Sequence, residues 1–207
     1  MTKTHIKFCG FTRQEDLAHA CSIGIDAAGL VLVPKSARCV SLPQARALAA
    51  AMTPPVKSVL LFLNPTRSDV QEAVDAVDPD VLQFHGTESP EFCAAFGRPW
   101  VKALSESVAA QEMDRYGDAC KLLIDSHLPG RLGGTGQTID AASFPGDSGG
   151  SRWVLAGGLT PGNVNACVRS LRPWAVDVSS GIESEPGIKD PTKMTSFVEQ
   201  VRRADEA

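Results

Sequence analysis

The stretch WVLAGGLTP at residues 153–161, with WAVDVSSG at 174–181 behind it, decides the fold. Each begins as a short β-type run and ends in small residues. In the first, Thr160 and Pro161 then open a helical segment at 161–170, a cap followed by proline at the first helical position. A strand that passes through a glycine turn into a helix is the unit of a parallel sheet with helical crossovers. Toward the N-terminus the unit recurs. Further strands are predicted at 4–9, 26–33, 57–62, 80–84, 100–104 and 121–125, and helices at 13–22, 43–51, 68–77, 90–96, 109–116 and 191–203. Ser89-Pro90 and Asp190-Pro191 repeat the cap-and-proline signal. The sixth connection is the exception: 138–151 carries Pro145, Gly146, Gly149 and Gly150, so any helix there is short. Eight strands with a helix after almost every one predict a closed (β/α)8 barrel, a TIM barrel with an atypical sixth connection, rather than an open doubly wound sheet. With 207 residues the chain is expected to form one domain, residues 1–207.

Composition narrows the function. A net charge of -4 offers no general attraction to nucleic acid or to an anionic membrane, so a bound anion must be held locally. Residues 1–10 contain no apolar stretch long enough for a secretion signal, no later run approaches a membrane span, and a cytoplasmic protein is expected. The six cysteines form no C-x-x-C pair and are read as free thiols. His5, His19, His85 and His127 form no local zinc motif, so no metal site is predicted.

In such a barrel the reactive groups stand at the C-terminal strand ends and in the loops beyond them. Cys9 ends the first strand, where alternation puts His5, Lys7 and Cys9 on the inward face. A thiol there serves as a proton acceptor only when ionised, and Lys7 is expected to lower its pKa. The plain alternative is a buried structural thiol. Asp125 closes the sixth strand at the same rim and suits a general acid, or else caps a turn with Ser126. The small residues after strands seven and eight, Gly157, Gly158, Asp177, Ser179, Ser180 and Gly181, sit where barrels bind phosphate through backbone N–H groups. Gly133-Gly134-Thr135-Gly136 is read as either a lid or a surface loop. Gln83 and His85 share an inward face and are read as substrate-binding, the plain alternative being a core histidine, and Arg38 follows strand two, by default a solvated arginine but useful if the ligand carries a carboxylate.

As a set these segments resemble the phosphoribosylanthranilate isomerase family. The matches are Ile6 to Thr12, Pro34 to Arg38, Leu82 to Gly86, Leu122 to Ser126, Gly133 to Thr138, Leu155 to Pro161 and Val176 to Glu183, in the family's order along nearly the whole chain. The resemblance implies an aldose-ketose isomerase of tryptophan biosynthesis. Its reaction is the Amadori rearrangement of N-(5'-phosphoribosyl)anthranilate to 1-(2-carboxyphenylamino)-1-deoxyribulose 5-phosphate, with no cofactor. It implies Asp125 as general acid, Cys9 as general base, Arg38 on the anthranilate carboxylate, and the loops after strands seven and eight on the phosphate. A monomer or homodimer is expected. Two segments depart from the family pattern: Ser36-Ala37-Arg38 replaces Ser-Pro-Arg, and Ile139-Asp140-Ala141 replaces Phe-Asp-Trp. The competing functions are another phosphosugar isomerase or epimerase on this fold, and a non-catalytic phosphosugar-binding barrel. Related histidine-pathway isomerases are expected to use paired aspartates and the epimerases a metal. Cys9 at the first strand end argues against both.

Overall fold

The computed structural model describes residues 3–125 and 153–207. Eight parallel strands close into a barrel, with each strand beside its neighbours in sequence and the last beside the first. They are β1 (His5–Cys9), β2 (Ala27–Val31), β3 (Lys57–Phe62), β4 (Val81–Phe84), β5 (Trp100–Ser105), β6 (Lys121–Asp125), β7 (Trp153–Ala156) and β8 (Ala175–Val178). The helices that follow them are α1 (Gln14–Ser22), α2 (Leu42–Ala50), α3 (Arg67–Val77), α4 (Pro90–Ala94), α5 (Glu106–Glu112), α6 (Val164–Leu171) and α7 (Pro191–Asp205). The connection from β6 to β7 lies outside the described residues, and with it the expected short helix and the glycine run at 133–136.

Strand alternation sorts the apolar side chains into separate cores. Ile6, Phe8, Leu30, Leu60, Phe62, Leu82 and Phe84 belong to the cluster shared with the helices. The opposite positions fill the barrel interior, where Val101, Ala103, Leu123, Val154, Ala156 and Ala175 form one group and Cys9, Val31, Val59 and Leu61 another. Lys7, Gln83 and Asp177 are buried as well, and their polar groups require partners there.

Capping sets most helix starts. Ser41 with Gln44 and Thr66 with Asp69 form capping boxes on α2 and α3, and Ser89 and Asp190 cap α4 and α7 ahead of their prolines. Thr160-Pro161 does not act this way. The Asn163 side chain ties the preceding turn, accepting from Thr160 N at 2.8 Å and donating to Gly158 O at 2.9 Å, and α6 starts only at Val164. The fifth helix starts at Glu106, earlier than the predicted residue 109, because an acidic side chain favours a helix's first turn. It gives way to a 3-10 turn at Asp114–Tyr116. After β8 comes an antiparallel hairpin, β9 (Glu183–Glu185) and β10 (Ile188–Lys189), which no sequence signal predicts.

Candidate active site

Barrel closure sets Lys7 of β1 directly beside Asp177 of β8. Their side chains form a buried ion pair, Lys7 Nζ donating to Asp177 Oδ2 at 2.7 Å. Cys9 lies one alternation further along the same inward face and is also buried. Burial pushes its thiol pKa up, and nearby Asp177 adds to the rise; the Lys7 ammonium opposes without reversing it. Lys7 thus pulls the thiol's pKa down as expected, but burial is the larger effect and the net pKa is raised. Asp177 offsets the lysine's charge, and the thiol has lost its water. His5 is not part of this site: its ring packs at a tilt on Trp174, 4.5 Å between ring centroids, and lies 3.2 Å from Asp26, at the opposite end of β1.

Beyond the C-terminal strand ends a cavity of about 160 Å³ is lined by Cys9, His85, Leu123, Asp125, the run Ala156 to Leu159 and the run Asp177 to Gly181. The structure thus brings Cys9, Asp125, His85 and all of Gly157, Gly158, Asp177, Ser179, Ser180 and Gly181 to one space. Two of its walls present backbone. Gly157 and Gly158 have φ of 92° and 62°, two left-handed residues in succession, and turns of this kind make concave sets of N–H groups that suit an anion. Packed against the end of that turn, where a Cβ on Gly181 would collide with Leu159 O, Ser180–Ile182 is a turn of 3-10 helix whose first amides have no acceptor within the helix. Among the described residues no lysine or arginine belongs to the lining, and an anion there meets the amide dipoles of the two turns.

Asp177 has capacity left over. Its Oδ2 accepts from Lys7, while its Oδ1 is buried with no hydrogen-bond partner among the described residues, so a ligand hydroxyl entering the cavity finds an acceptor. Gln83 does not reach the cavity. Its Nε2 lies 2.7 Å from His85 Nε2. The amide nitrogen donates, the ring nitrogen accepts, and in a neutral imidazole the proton therefore sits on Nδ1. Burial, and then the Lys7 charge, lower the pKa of His85 and favour that neutral form.

Arg38 is likewise absent from the cavity lining. Its Nε and Nη2 donate to the two carboxylate oxygens of Glu183 at 2.8 and 2.6 Å. Lys189, fully buried, donates to Glu183 Oε1 at 2.8 Å and to Cys9 O at 2.6 Å, and the sequence reading missed it because a two-residue strand carries no periodic signal. Among the described residues no group of three or more His, Cys, Asp or Glu side chains is placed to hold a metal ion, and no helix is long and apolar enough to cross a membrane.

Comparison with known proteins places this arrangement in a family. Residues 6–200 match the family model described as N-(5'phosphoribosyl)anthranilate (PRA) isomerase. An N-(5'-phosphoribosyl)anthranilate isomerase of Stenotrophomonas maltophilia (strain K279a) is 46% identical over 209 residues, covering 98% of this chain and 95% of its own. The crystal structure of phosphoribosyl anthranilate isomerase from Thermotoga maritima superposes with a TM-score of 0.85 at 31% identity, over 97% of this chain and 99% of its own. A second solved isomerase, in complex with reduced 1-(o-carboxyphenylamino)-1-deoxyribulose 5-phosphate, gives a TM-score of 0.81 at 29% identity over the same shares. With a match that runs from the first strand into the last helix, the chain belongs to the N-(5'-phosphoribosyl)anthranilate isomerase family.

Proposed function

We propose that this enzyme, acting as a single domain in the cytoplasm, catalyses the Amadori rearrangement of N-(5'-phosphoribosyl)anthranilate to 1-(2-carboxyphenylamino)-1-deoxyribulose 5-phosphate in tryptophan biosynthesis. One observation carries the proposal: a thiol, a carboxyl group and two amide-rich turns all open onto the same cavity, and the second solved isomerase binds a ligand with the product's skeleton.

Asp125 gives a proton to the ribose ring oxygen, the C1'–O bond breaks, and the nitrogen lone pair forms a C1'=N iminium. Cys9, as thiolate, removes the C2' proton. The C–H electrons form the C1'=C2' bond and neutralise the nitrogen, giving an enolamine that gains a proton at C1' and loses one from the C2' hydroxyl to become the ketone. Atoms and electrons balance within the substrate, so this sequence of proton transfers takes no cofactor. The turns at 157–158 and 179–181 hold the phosphate through backbone N–H groups, and Asp177 Oδ1 accepts from a sugar hydroxyl. His85 binds the substrate through its remaining ring nitrogen, with Gln83 as its support. Arg38 takes the anthranilate carboxylate.

The test is direct. Purified protein mixed with freshly made phosphoribosylanthranilate quenches the anthranilate-type fluorescence in a protein-dependent way. A flat trace from folded protein overturns the proposal.

A further inference from the structure

The Glu183–Lys189 pair lies beside the cavity, not in it, and the polar atoms of both side chains are committed to parts of the site or to each other. The three protons of Lys189 Nζ go to Cys9 O at 2.6 Å, Ser179 O at 3.2 Å and Glu183 Oε1 at 2.8 Å. Glu183 in turn holds the Nε–Nη2 edge of Arg38 through both oxygens. A guanidinium has a second fork, formed by Nη1 and the other Nη2 hydrogen, and this remains for a second carboxylate. Gly10 makes room for the arrangement: a Cβ there would lie 2.5 Å from Arg38 Cδ. Lys189 is itself anchored, its backbone N–H donating to Asp16 Oδ2 at 3.0 Å, and Asp16 is forked by Arg13.

Stability alone does not call for such a pair. Replacing a buried ion pair by apolar residues of similar volume is often neutral or favourable, whereas removing one partner leaves an uncompensated charge. The placement therefore points to geometry. We infer that Glu183 and Lys189 are positioning residues, one buried pair that fixes Arg38, the backbone of Cys9 and the phosphate turn at Ser179 relative to one another. This rests on the isomerase reading above.

The two members bear on different parts of the substrate, and that division is the test. In steady-state kinetics scaled to the folded fraction, Glu183→Gln, which keeps the volume and loses the charge, raises the substrate KM about tenfold while kcat falls less than about threefold. The inhibition constant of ribose 5-phosphate, which has no carboxylate, moves less than about twofold. Lys189→Met does the converse: kcat falls at least about tenfold and ribose 5-phosphate binds more weakly. Glu183→Asp, which keeps the charge and withdraws it by one methylene, serves the same measurement if Glu183→Gln does not fold. An unmoved KM in the Glu183 variant measured, or KM and the ribose 5-phosphate constant rising together, overturns the positioning role alone. A folded wild type without turnover overturns the isomerase reading, and this role with it.

Discussion

Cys9 stands opposite Gly29 in the β1–β2 ladder, so closely that its sulfur fills the place a side chain at position 29 would need. A Cβ on Gly29 would sit 2.9 Å from Cys9 Sγ and 3.2 Å from both Cys9 Cα and Leu61 Cδ1. The bare backbone at position 29 is what allows the thiol its present rotamer. Gly29→Ala is expected to turn the thiol or part the two strands. Because displacement of a reacting group by about 1 Å costs on the order of 100-fold, kcat should fall between about 10- and 100-fold in a protein that still folds. Kinetics beside a circular dichroism melt decide it: wild-type kcat in folded Gly29→Ala would mean that the position of the thiol does not matter.

The ionisation of Cys9 supplies a second prediction. Burial raises its pKa, Asp177 adds to this, and the Lys7 and Lys189 ammonium groups pull the other way with less effect. The sign follows: a raised pKa means less thiolate at neutral pH than in a free cysteine, whose ordinary value is about 8.5. Alkylation of Cys9 by iodoacetamide, located by mass spectrometry among the six cysteines, should therefore climb with pH to a midpoint above about 8.5. A midpoint at or below pH 8 contradicts the balance of charges described here.

What could be read from sequence was local. Cys9 and Asp125 stand at strand ends, and Gly157 and Ser179 follow strands, so alternation and turn chemistry were enough to bring them to one rim. What depended on distant partners was out of reach. The net ionisation of Cys9 hinged first on its burial in the closed barrel and then on Lys7 and on Asp177, which lies 170 residues from Lys7, and the orientation of Arg38 hinged on Glu183, 145 residues further along. Alternation likewise put Gln83 on the inward face without revealing that its amide serves His85. At α6 the proline signal was present, but one side chain, Asn163, outweighed it.

Arg38 and Lys35 occupy the same loop, yet among the described residues only Arg38 is held by a carboxylate in a fixed orientation, and Lys35 is exposed. Arg38→Ala should raise KM at nearly constant kcat, by about 1.5–3 kcal/mol for one lost charge-assisted bond. Lys35→Ala should change KM less than about twofold, since an exposed cation interacts weakly through water. Comparable increases in both variants would show that the loop acts only as a diffuse positive field. A fall in kcat for Arg38→Ala with KM unmoved would place the arginine on the transition state instead.

Cys9→Ala and Asp125→Ala should each remove most of kcat while leaving the fold and the affinity for ribose 5-phosphate nearly intact, because the phosphate turns follow β7 and β8 and the two reactive groups end β1 and β6. Positioned proton transfer contributes on the order of 10²- to 10⁴-fold, about 3 to 5 kcal/mol, so each loss should be plain in a single assay. The double variant should lose less than the sum of the two, since both groups act in one proton-transfer sequence and substrate binding remains. Cys9→Ser discriminates best. It keeps the size and polarity of the group, so the contact with Gly29 and the packing against Val31 and Leu61 survive, but a hydroxyl ionises far less readily than a thiol. If folded Cys9→Ser turns over at the wild-type rate, Cys9 is a structural thiol, and the base must be sought among the other ionisable groups of the cavity, His85 and Asp177.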